Sequence, residues 1–301
     1  MKKAECYKMN KKYVLFTDTV YTLLLYALFY FDQIDDTLFI FSDGVPEKIR
    51  SNFKSHIYVS SGKGSRFSFF IRIFSILKLF KLDLKNMKQF GQDHIFYSFF
   101  YMNNDFTLLE DGRANYELTS NINRYAKLKR YFLHGEEFGA NEKVKRIILT
   151  SQVDWPDELV DKIFFKDIHF EWNKKAPNEK KIIIDLFCLN FNIENKIQVL
   201  LTGYYSEFGL MTEIEKINMY KAILCCYPDS EKIYIKPHPK EDTDYSIYFN
   251  NRIIPPAVPF QLVELACDGV DTLITISSSV GLNTKANVIY HDLNDFFECR
   301  K

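Results

Sequence analysis

The chain has 301 residues, 39 cationic and 39 acidic side chains, and a formal net charge of zero at neutral pH. This length allows two domains, because single hydrophobic cores stop growing at about 250–300 residues. A neutral chain lacks the overall cationic excess of nucleic-acid-binding proteins, so no nucleic-acid partner is expected. The six cysteines show no CxxC spacing, which indicates reduced thiols and not a disulfide framework.

The N-terminus and the apolar segments indicate a cytoplasmic protein. Met1, Lys2 and Lys3 are followed by polar residues, where a secretory signal would have an apolar core. The longest apolar run, residues 20–31, has about half the length that a membrane-spanning helix needs.

The first half of the chain alternates short apolar strands with helices. Strands are predicted at residues 12–16, 37–41, 56–59, 94–100 and 106–109, and helices at 19–31 and 66–82. A strand–helix–strand succession implies a parallel sheet. The sequence therefore predicts an α/β domain over residues 1–150.

Regular alternation then stops and resumes. Prolines in residues 151–178 indicate a linker region, and residues 179–301 are predicted as a second α/β domain. Its strands are predicted at residues 181–185, 198–202, 232–236 and 272–276, and its helices at 212–226, at 258–267 and after residue 276. Thr212 and Glu215 have the spacing of a capping box at one helix start.

The first of three polar motifs is Glu110-Asp111-Gly112, directly after the predicted strand 106–109. In an α/β sheet, ligands bind beyond the carboxyl ends of the strands. A carboxylate there can take the proton of a sugar hydroxyl, and Gly112 permits the backbone turn that directs the acids inward. The competing interpretation is a surface turn, since Asp-Gly is a common turn dipeptide.

The second motif is Lys236-Pro237-His238-Pro239. Two prolines restrict the backbone on either side of His238, and a protonated imidazole there can hydrogen-bond a departing phosphate. The competing interpretation is a capping residue in a strand-to-helix loop. The other histidines have no comparable frame and are interpreted as structural: His56, His94, His134, His169 and His291.

The third motif is Ser277-Ser278-Ser279, followed by Gly281, between a predicted strand and a predicted helix. Hydroxyls, backbone N–H groups and the positive end of a helix together form an anion site. An ordinary N-cap needs only one serine. Three in succession favour an anion-binding role.

In this order, the acidic triplet, the His-Pro pair and the serine triplet resemble the hallmarks of bacterial sialyltransferases. The specific resemblance is to glycosyltransferase family 52, the lipooligosaccharide and capsule sialyltransferases. It implies a GT-B fold, two Rossmann-like α/β domains with a cleft between them, in which the N-terminal domain is on the acceptor side and the C-terminal domain binds a CMP-sugar. It also implies an inverting, metal-independent transfer of sialic acid from CMP-sialic acid to a terminal galactose or similar sugar, without a cofactor.

The resemblance further implies roles for individual residues. Asp111 is the expected base with Glu110 in reserve, Glu207 and Glu213 remain alternative bases, and His238 is the expected acid. The expected substrate contacts are Lys236, Pro237, Gln261, Glu264, Ser277, Ser278 and Ser279. The sequence departs from the family pattern at Gln261, where the relatives have a carboxylate for the cytidine ribose.

Two other segments have open interpretations. Asp242 and Asp244 have DxD spacing, but a solvated turn is favoured and no metal site is predicted. Residues 66–82 combine large apolar side chains with cations, which is typical either of a core helix with a solvated cationic face or of peripheral contact with an anionic membrane. The acceptor in such enzymes is a lipid-linked glycan, so contact would be at the inner face of the plasma membrane.

Two rival functions remain open from the sequence. One is a GT-B transferase that uses another nucleotide sugar, for example a glucosyltransferase. The other is a non-catalytic glycan-binding or capsule-assembly protein that has kept the fold.

Overall fold

The computed structural model describes residues 11–62, 66–112, 115–116, 138–152, 155, 157–189, 196–267, 269–276 and 284–293. The chain divides into two compact units, Met1–Leu186 and Phe187–Lys301. Each unit is built on its own parallel sheet, which confirms the predicted α/β class. No helix in the described part of the chain has the length and apolar character needed to span a bilayer.

The first unit contains a seven-stranded parallel sheet in the order β3-β2-β1-β4-β5-β6-β7. Its strands are β1 (Tyr13–Thr17), β2 (Thr37–Phe41), β3 (His56–Tyr58), β4 (Lys88–Gly91), β5 (Phe106–Leu109), β6 (Val144–Leu149) and β7 (Ile163–Phe165). Its α-helices are α1 (Val20–Phe29), α2 (Glu47–Arg50), α3 (Ser68–Leu79), α4 (Ser98–Tyr101), α5 (Ile168–Lys174) and α6 (Pro177–Leu186). Short 3₁₀ helices lie at Phe31–Asp36, Leu84–Asn86 and Asp157–Lys162.

Helix α1 shows how the core of this unit is built. Thr19 caps its start by accepting the backbone N–H of Thr22 at 3.3 Å. The helix contacts strands β1 and β5 of the sheet as well as helices α5 and α6. Contacts with both sheet and helices explain why nearly every side chain of α1 is apolar and buried.

The second unit contains a four-stranded parallel sheet in the order β11-β10-β8-β9. Its elements are β8 (Ile197–Leu201), α7 (Glu213–Cys225), β9 (Tyr234–Lys236), α8 (Phe260–Ala266), β10 (Val270–Thr275) and β11 (Asn287–Tyr290), with 3₁₀ helices at Ser230–Lys232 and Tyr245–Ile247. The predicted capping box of α7 is confirmed. Thr212 Oγ1 accepts the N–H of Glu215 at 3.3 Å, and the Glu215 carboxylate accepts the N–H of Thr212 at 2.7 Å.

Two predicted strands are wrong. Residues 94–100 form a loop and the start of α4, and residues 181–185 lie in α6. Pro177 occupies the first turn of α6, where its missing N–H removes no helical hydrogen bond, and the Glu179 carboxylate accepts the Ala176 N–H at 2.7 Å. These local contacts favour a helix over the strand that three consecutive isoleucines predict. Strands β4, β6, β7 and β11 are not among the predicted ones.

Candidate active site

Polar side chains follow five strands of the first sheet. They are Asp18 and Thr19 after β1, Ser42 and Asp43 after β2, Gln92, Asp93 and His94 after β4, Glu110 and Asp111 after β5, and Thr150 and Ser151 after β6. Because all these strands are parallel, their carboxyl ends meet at one edge of the sheet. The acidic triplet therefore lies at the edge where the fold class predicts a ligand site.

Asp111 is held in place but remains partly accessible. Its Oδ1 accepts the hydroxyl of Thr19 at 2.7 Å, and its Oδ2 lies 3.2 Å from Nε2 of His94. Its backbone N–H donates to Oδ1 of Asn115 at 2.7 Å, and Gly112 follows with a φ of 135°. With 18% of its side chain exposed, Asp111 is a fixed carboxylate that a substrate hydroxyl can reach.

Glu110 is fully buried, unlike its neighbour. Its Oε2 accepts three hydrogen bonds of 2.7 Å, from the N–H and the hydroxyl of Thr150 and from the hydroxyl of Tyr116. Burial and the adjacent carboxylate raise the pKa of Tyr116 well above its ordinary value, so this phenol stays a donor. Glu110 thus joins β5 to β6, and the accessible carboxylate of the triplet is that of Asp111.

His94, which the sequence analysis interprets as structural, lies beside Asp111 in this site. Its ring stacks on Phe138 with centroids 4.9 Å apart. The buried carboxylate of Asp93 accepts the backbone N–H groups of Phe138 at 3.0 Å and Gly139 at 2.7 Å, which fixes the loop behind the ring. The polar run Gln92-Asp93-His94 directly after a strand is the available signal, but β4 is not among the predicted strands.

In the second unit, His238 follows β9 as predicted. Its Nδ1 accepts the backbone N–H of Lys240 at 3.1 Å, so the proton of the neutral ring is on Nε2. Burial, together with the positive charges of Lys240 and Lys236, lowers the pKa of His238 to about 4. With this pKa the ring of His238 is neutral at physiological pH and carries its N–H at Nε2, and its action as an acid stays a prediction.

Lys236 and Pro237 shape the loop that carries His238. Lys236 is 5% exposed, and its Nζ donates to the carbonyls of Pro237 at 2.7 Å and Pro256 at 2.9 Å. Burial lowers the pKa of Lys236 to about 7. The side chain joins the His238 loop to the segment that leads into α8.

The remaining predicted donor contacts lie on or beyond α8. Gln261 and Glu264 are both buried on this helix. Oε1 of Glu264 accepts the hydroxyl of Thr284 and the N–H of Lys285, each at 2.8 Å. Glu264 thereby holds the chain just after the serine motif. The serines themselves, Ser277, Ser278 and Ser279, lie outside the described residues.

Two alternative bases, Glu207 and Glu213, are bound to Lys216, whose Nζ lies 3.0 Å and 3.2 Å from their carboxylates. Burial tends to raise the pKa of Glu207, but hydrogen bonds from the Asp242 N–H and from Lys216 outweigh it and lower the pKa. Burial also tends to raise the pKa of Glu213, but the hydrogen bonds that its carboxylate accepts outweigh this effect and lower the pKa. Both acids are therefore poor proton acceptors in this state.

The DxD segment forms a turn. The Asp244 carboxylate accepts the N–H and the hydroxyl of Ser246, at 3.1 Å and 2.6 Å, while Asp242 donates its N–H to Glu207 at 2.9 Å. Within the described ranges, no group of three or more His, Cys, Asp or Glu side chains is arranged to hold a metal ion.

Comparison with known proteins identifies the family. The profile of glycosyltransferase family 52 matches residues 35–292. An uncharacterised protein of Haemophilus influenzae is 32% identical over 266 residues, which is 83% of each chain.

Two solved structures are similar at low identity. An α/β-galactoside α-2,3-sialyltransferase from Photobacterium phosphoreum is 11% identical with a TM-score of 0.53, covering 95% of this chain and 92% of that one. A Photobacterium 2,6-sialyltransferase, solved with CMP and lactose, is 12% identical with a TM-score of 0.55, covering 92% of this chain and 71% of that one. These likenesses show the fold and confirm the predicted GT-B type. Because the family profile covers most of its length, the chain belongs to glycosyltransferase family 52.

Proposed function

We propose that the protein is an inverting sialyltransferase that moves sialic acid from CMP-sialic acid to a terminal galactose or similar sugar of a lipooligosaccharide or capsular glycan. The observation that carries this proposal is the accessible Asp111 carboxylate, fixed by Thr19 and His94 at the carboxyl edge of the first sheet. Membership of family 52 supports it, and so does a fold shared with a sialyltransferase solved with CMP and lactose.

The acceptor chemistry is assigned to the first unit. Asp111 takes the proton of the acceptor hydroxyl while the oxygen of that hydroxyl attacks the anomeric carbon of the sialic acid. The bond from that carbon to the phosphate oxygen breaks at the same time, and its electron pair leaves with CMP. Thr19 and His94 keep the Asp111 carboxylate aimed at the hydroxyl, so little reorganisation is needed during the reaction.

The donor chemistry is assigned to the second unit. The Nε2–H of His238 donates to the phosphate of CMP as negative charge develops on it. Ser278 and Ser279 are proposed to bind the same phosphate and Gln261 the ribose. These donors offset the leaving charge, so the proposed reaction uses neither a metal nor another cofactor.

Helix α3 and the two residues that flank it carry an exposed apolar stripe, composed of Phe67, Phe70, Phe74, Leu77 and Phe80, each 55–77% exposed. The segment that carries the stripe, residues 66–82, has four cations and no acid, a charge that disfavours contact with a second copy of the same segment and favours contact with an anionic bilayer. We propose that the stripe inserts into the surface of an anionic membrane, which would bring the enzyme to a lipid-linked acceptor.

A second candidate is transfer from another nucleotide sugar, because Gln261 stands where a ribose-binding carboxylate is expected.

A thermal-shift comparison of CMP, UDP and GDP separates the two candidate donors. A ligand that binds only the folded state stabilises it by about 2.7 kcal/mol at 100-fold excess over Kd. CMP should raise Tm more than UDP or GDP, and lactose with CMP-sialic acid should yield sialyllactose and CMP at a rate that EDTA does not change. A larger shift with UDP would favour the second candidate.

A further inference from the structure

A buried carboxylate, Glu241, holds the backbone of His238. Its Oε2 accepts the N–H of His238 at 2.7 Å and also the hydroxyl of Thr202, directly after β8. Its Oε1 accepts the hydroxyl of Tyr245 at 2.6 Å and lies 3.5 Å from Nζ of Lys216. The carboxylate thus receives donors from four separate points of the second unit.

Lys216, on α7, is the cation that balances this site. Its side chain is fully buried and also binds Glu207 and Glu213. Those two acids accept the N–H of Asp242 at 2.9 Å and the hydroxyl of Thr243 at 2.7 Å. Lys216 therefore ties the segment after β8 to the segment after His238, and a buried ammonium of this kind is stable only with anionic partners.

These ties restrain the His238 ring on three sides. Glu241 fixes its backbone N–H, the Lys240 N–H fixes Nδ1, and the Tyr204 ring lies 4.5 Å from the imidazole centroid. Tyr204 belongs to the same segment as Glu207, which Lys216 anchors. A side chain restrained at its backbone, one ring nitrogen and one face keeps its remaining N–H in a fixed direction.

We propose that Glu241 and Lys216 are positioning residues for transfer, which act by fixing the direction of the His238 Nε2–H. The proposal rests on the proposed role of His238 in the reaction. It differs from a merely stabilising ion pair in one respect: loss of Glu241 should matter for turnover only while His238 is present.

A double-mutant cycle tests this difference. Glu241→Gln should lower kcat for transfer from CMP-sialic acid to lactose by at least about tenfold, with KM for lactose unchanged. A misdirected His238 Nε2–H stabilises less of the negative charge that develops on the CMP phosphate, and lactose binding does not depend on that charge. In a His238→Ala background the same change should cause no further loss. Asp244→Asn, a hydrogen-bonded acid in the same loop, is the matched control and should retain wild-type kcat. Equal losses from Glu241→Gln in both backgrounds would overturn the proposal.

A second readout needs no substrate. ¹⁵N NMR of the His238 ring should show one neutral tautomer in the wild type and a mixture in Glu241→Gln. If Glu241→Gln does not fold, Tyr245→Phe, which removes one donor at nearly constant volume, should give a smaller change in the same direction. An unchanged tautomer in the folded variants would overturn the positioning role. A changed tautomer, in a protein that transfers nothing from CMP-sialic acid, would leave the positioning of the ring intact and reject the proposed function.

Discussion

Oδ2 of Asp111 and Nε2 of His94 lie 3.2 Å apart, at the ends of the neighbouring strands β5 and β4. The imidazole can donate to the carboxylate and keep it oriented, while the Thr19 hydroxyl does the same from the other oxygen. Because each of its two carboxylate oxygens has a donor, Asp111 is an accessible carboxylate whose orientation is fixed. Such a group is suited to take a proton from a hydroxyl that is placed beside it.

Replacing Asp111 by Asn should lower kcat at least about 100-fold, because the amide keeps the size of the side chain but cannot accept the proton. CMP binding, measured by titration, should be unchanged. Glu207→Gln and Glu213→Gln are the matched tests of the alternative bases and should lose far less activity. A 100-fold loss in Glu213→Gln, with near-normal turnover in Asp111→Asn, would move the base to the second unit.

Replacing His94 by Ala should lower kcat by about 10- to 100-fold, the range set by a hydrogen bond to a charged group at 1.5–3 kcal/mol. The loss should be smaller in an Asp111→Asn background, since both residues act on one carboxylate. His56→Ala, in the same unit, serves as the control in the same kinetic assay. A His94→Ala enzyme with wild-type kcat would show that Thr19 alone orients Asp111.

The strand-end positions of two candidate motifs, one in each unit, could be predicted from the sequence because their signals are local. The triplet at residues 110–112 and the His-Pro pair each follow an apolar strand directly, and parallel pairing then places them at sheet edges. His94 was missed because it depends on β4, whose residues Lys-Gln-Phe-Gly lack an apolar run. The aromatic residues after it favour a strand by propensity, yet the structure places a loop there that Asp93 fixes through distant backbone N–H groups.

The different roles of Glu110 and Asp111 likewise could not be predicted, since adjacent acids look equivalent in sequence. What separates them is Thr150, which follows β6 and uses both its N–H and its hydroxyl to bind Glu110. Only the pairing of β5 with β6 brings Thr150 there. The network of Lys216 and Glu241 could not be predicted from the sequence either, because its members come from three segments of the second unit that are separate in the sequence.

The low pKa of His238 makes a prediction about pH and stability. Its folded-state pKa of about 4 lies below the ordinary histidine pKa of 6.5, so between these values the unfolded chain binds more protons than the folded one. The stability that His238 contributes should be fully present above pH 6.5 and should be lost as pH falls toward 4. The difference between the Tm of the wild type and the Tm of His238→Gln should therefore become smaller as the pH is lowered from 6.5 to 4. A difference that stays constant with pH would mean that the ring titrates normally in the folded protein.

The serine motif is predicted to bind the CMP phosphate. The Ser278→Ala/Ser279→Ala double variant should lose most of the rise in Tm that CMP causes, because hydroxyls and N–H groups at a helix start are the expected anion ligands. Ser246→Ala, which removes a hydroxyl from the turn at Asp244, is the control and should keep the full shift. An undiminished CMP shift in the double variant would place the phosphate elsewhere.

The apolar stripe of α3 predicts binding to anionic vesicles. The buried side of the helix packs on the core through Ile76 and Leu79, whereas Phe74 and Phe80 are 71% and 77% exposed. Wild-type protein should co-sediment with phosphatidylglycerol-containing vesicles, less with phosphatidylcholine alone and less at high salt. Phe74→Ser/Phe80→Ser should lower the partition coefficient by about tenfold or more, because two large apolar groups no longer enter the bilayer surface.

Phe170→Ser/Ile182→Ser is the matched control for this experiment, since both side chains are exposed and apolar and lie on other helices of the same unit. It should bind vesicles as the wild type does. Transfer to soluble lactose should be the same in wild type and in both double variants, because the stripe lies outside the proposed chemistry. If the Phe74→Ser/Phe80→Ser variant bound vesicles normally but changed from dimer to monomer in light scattering, the stripe would be a contact between copies and not a membrane surface.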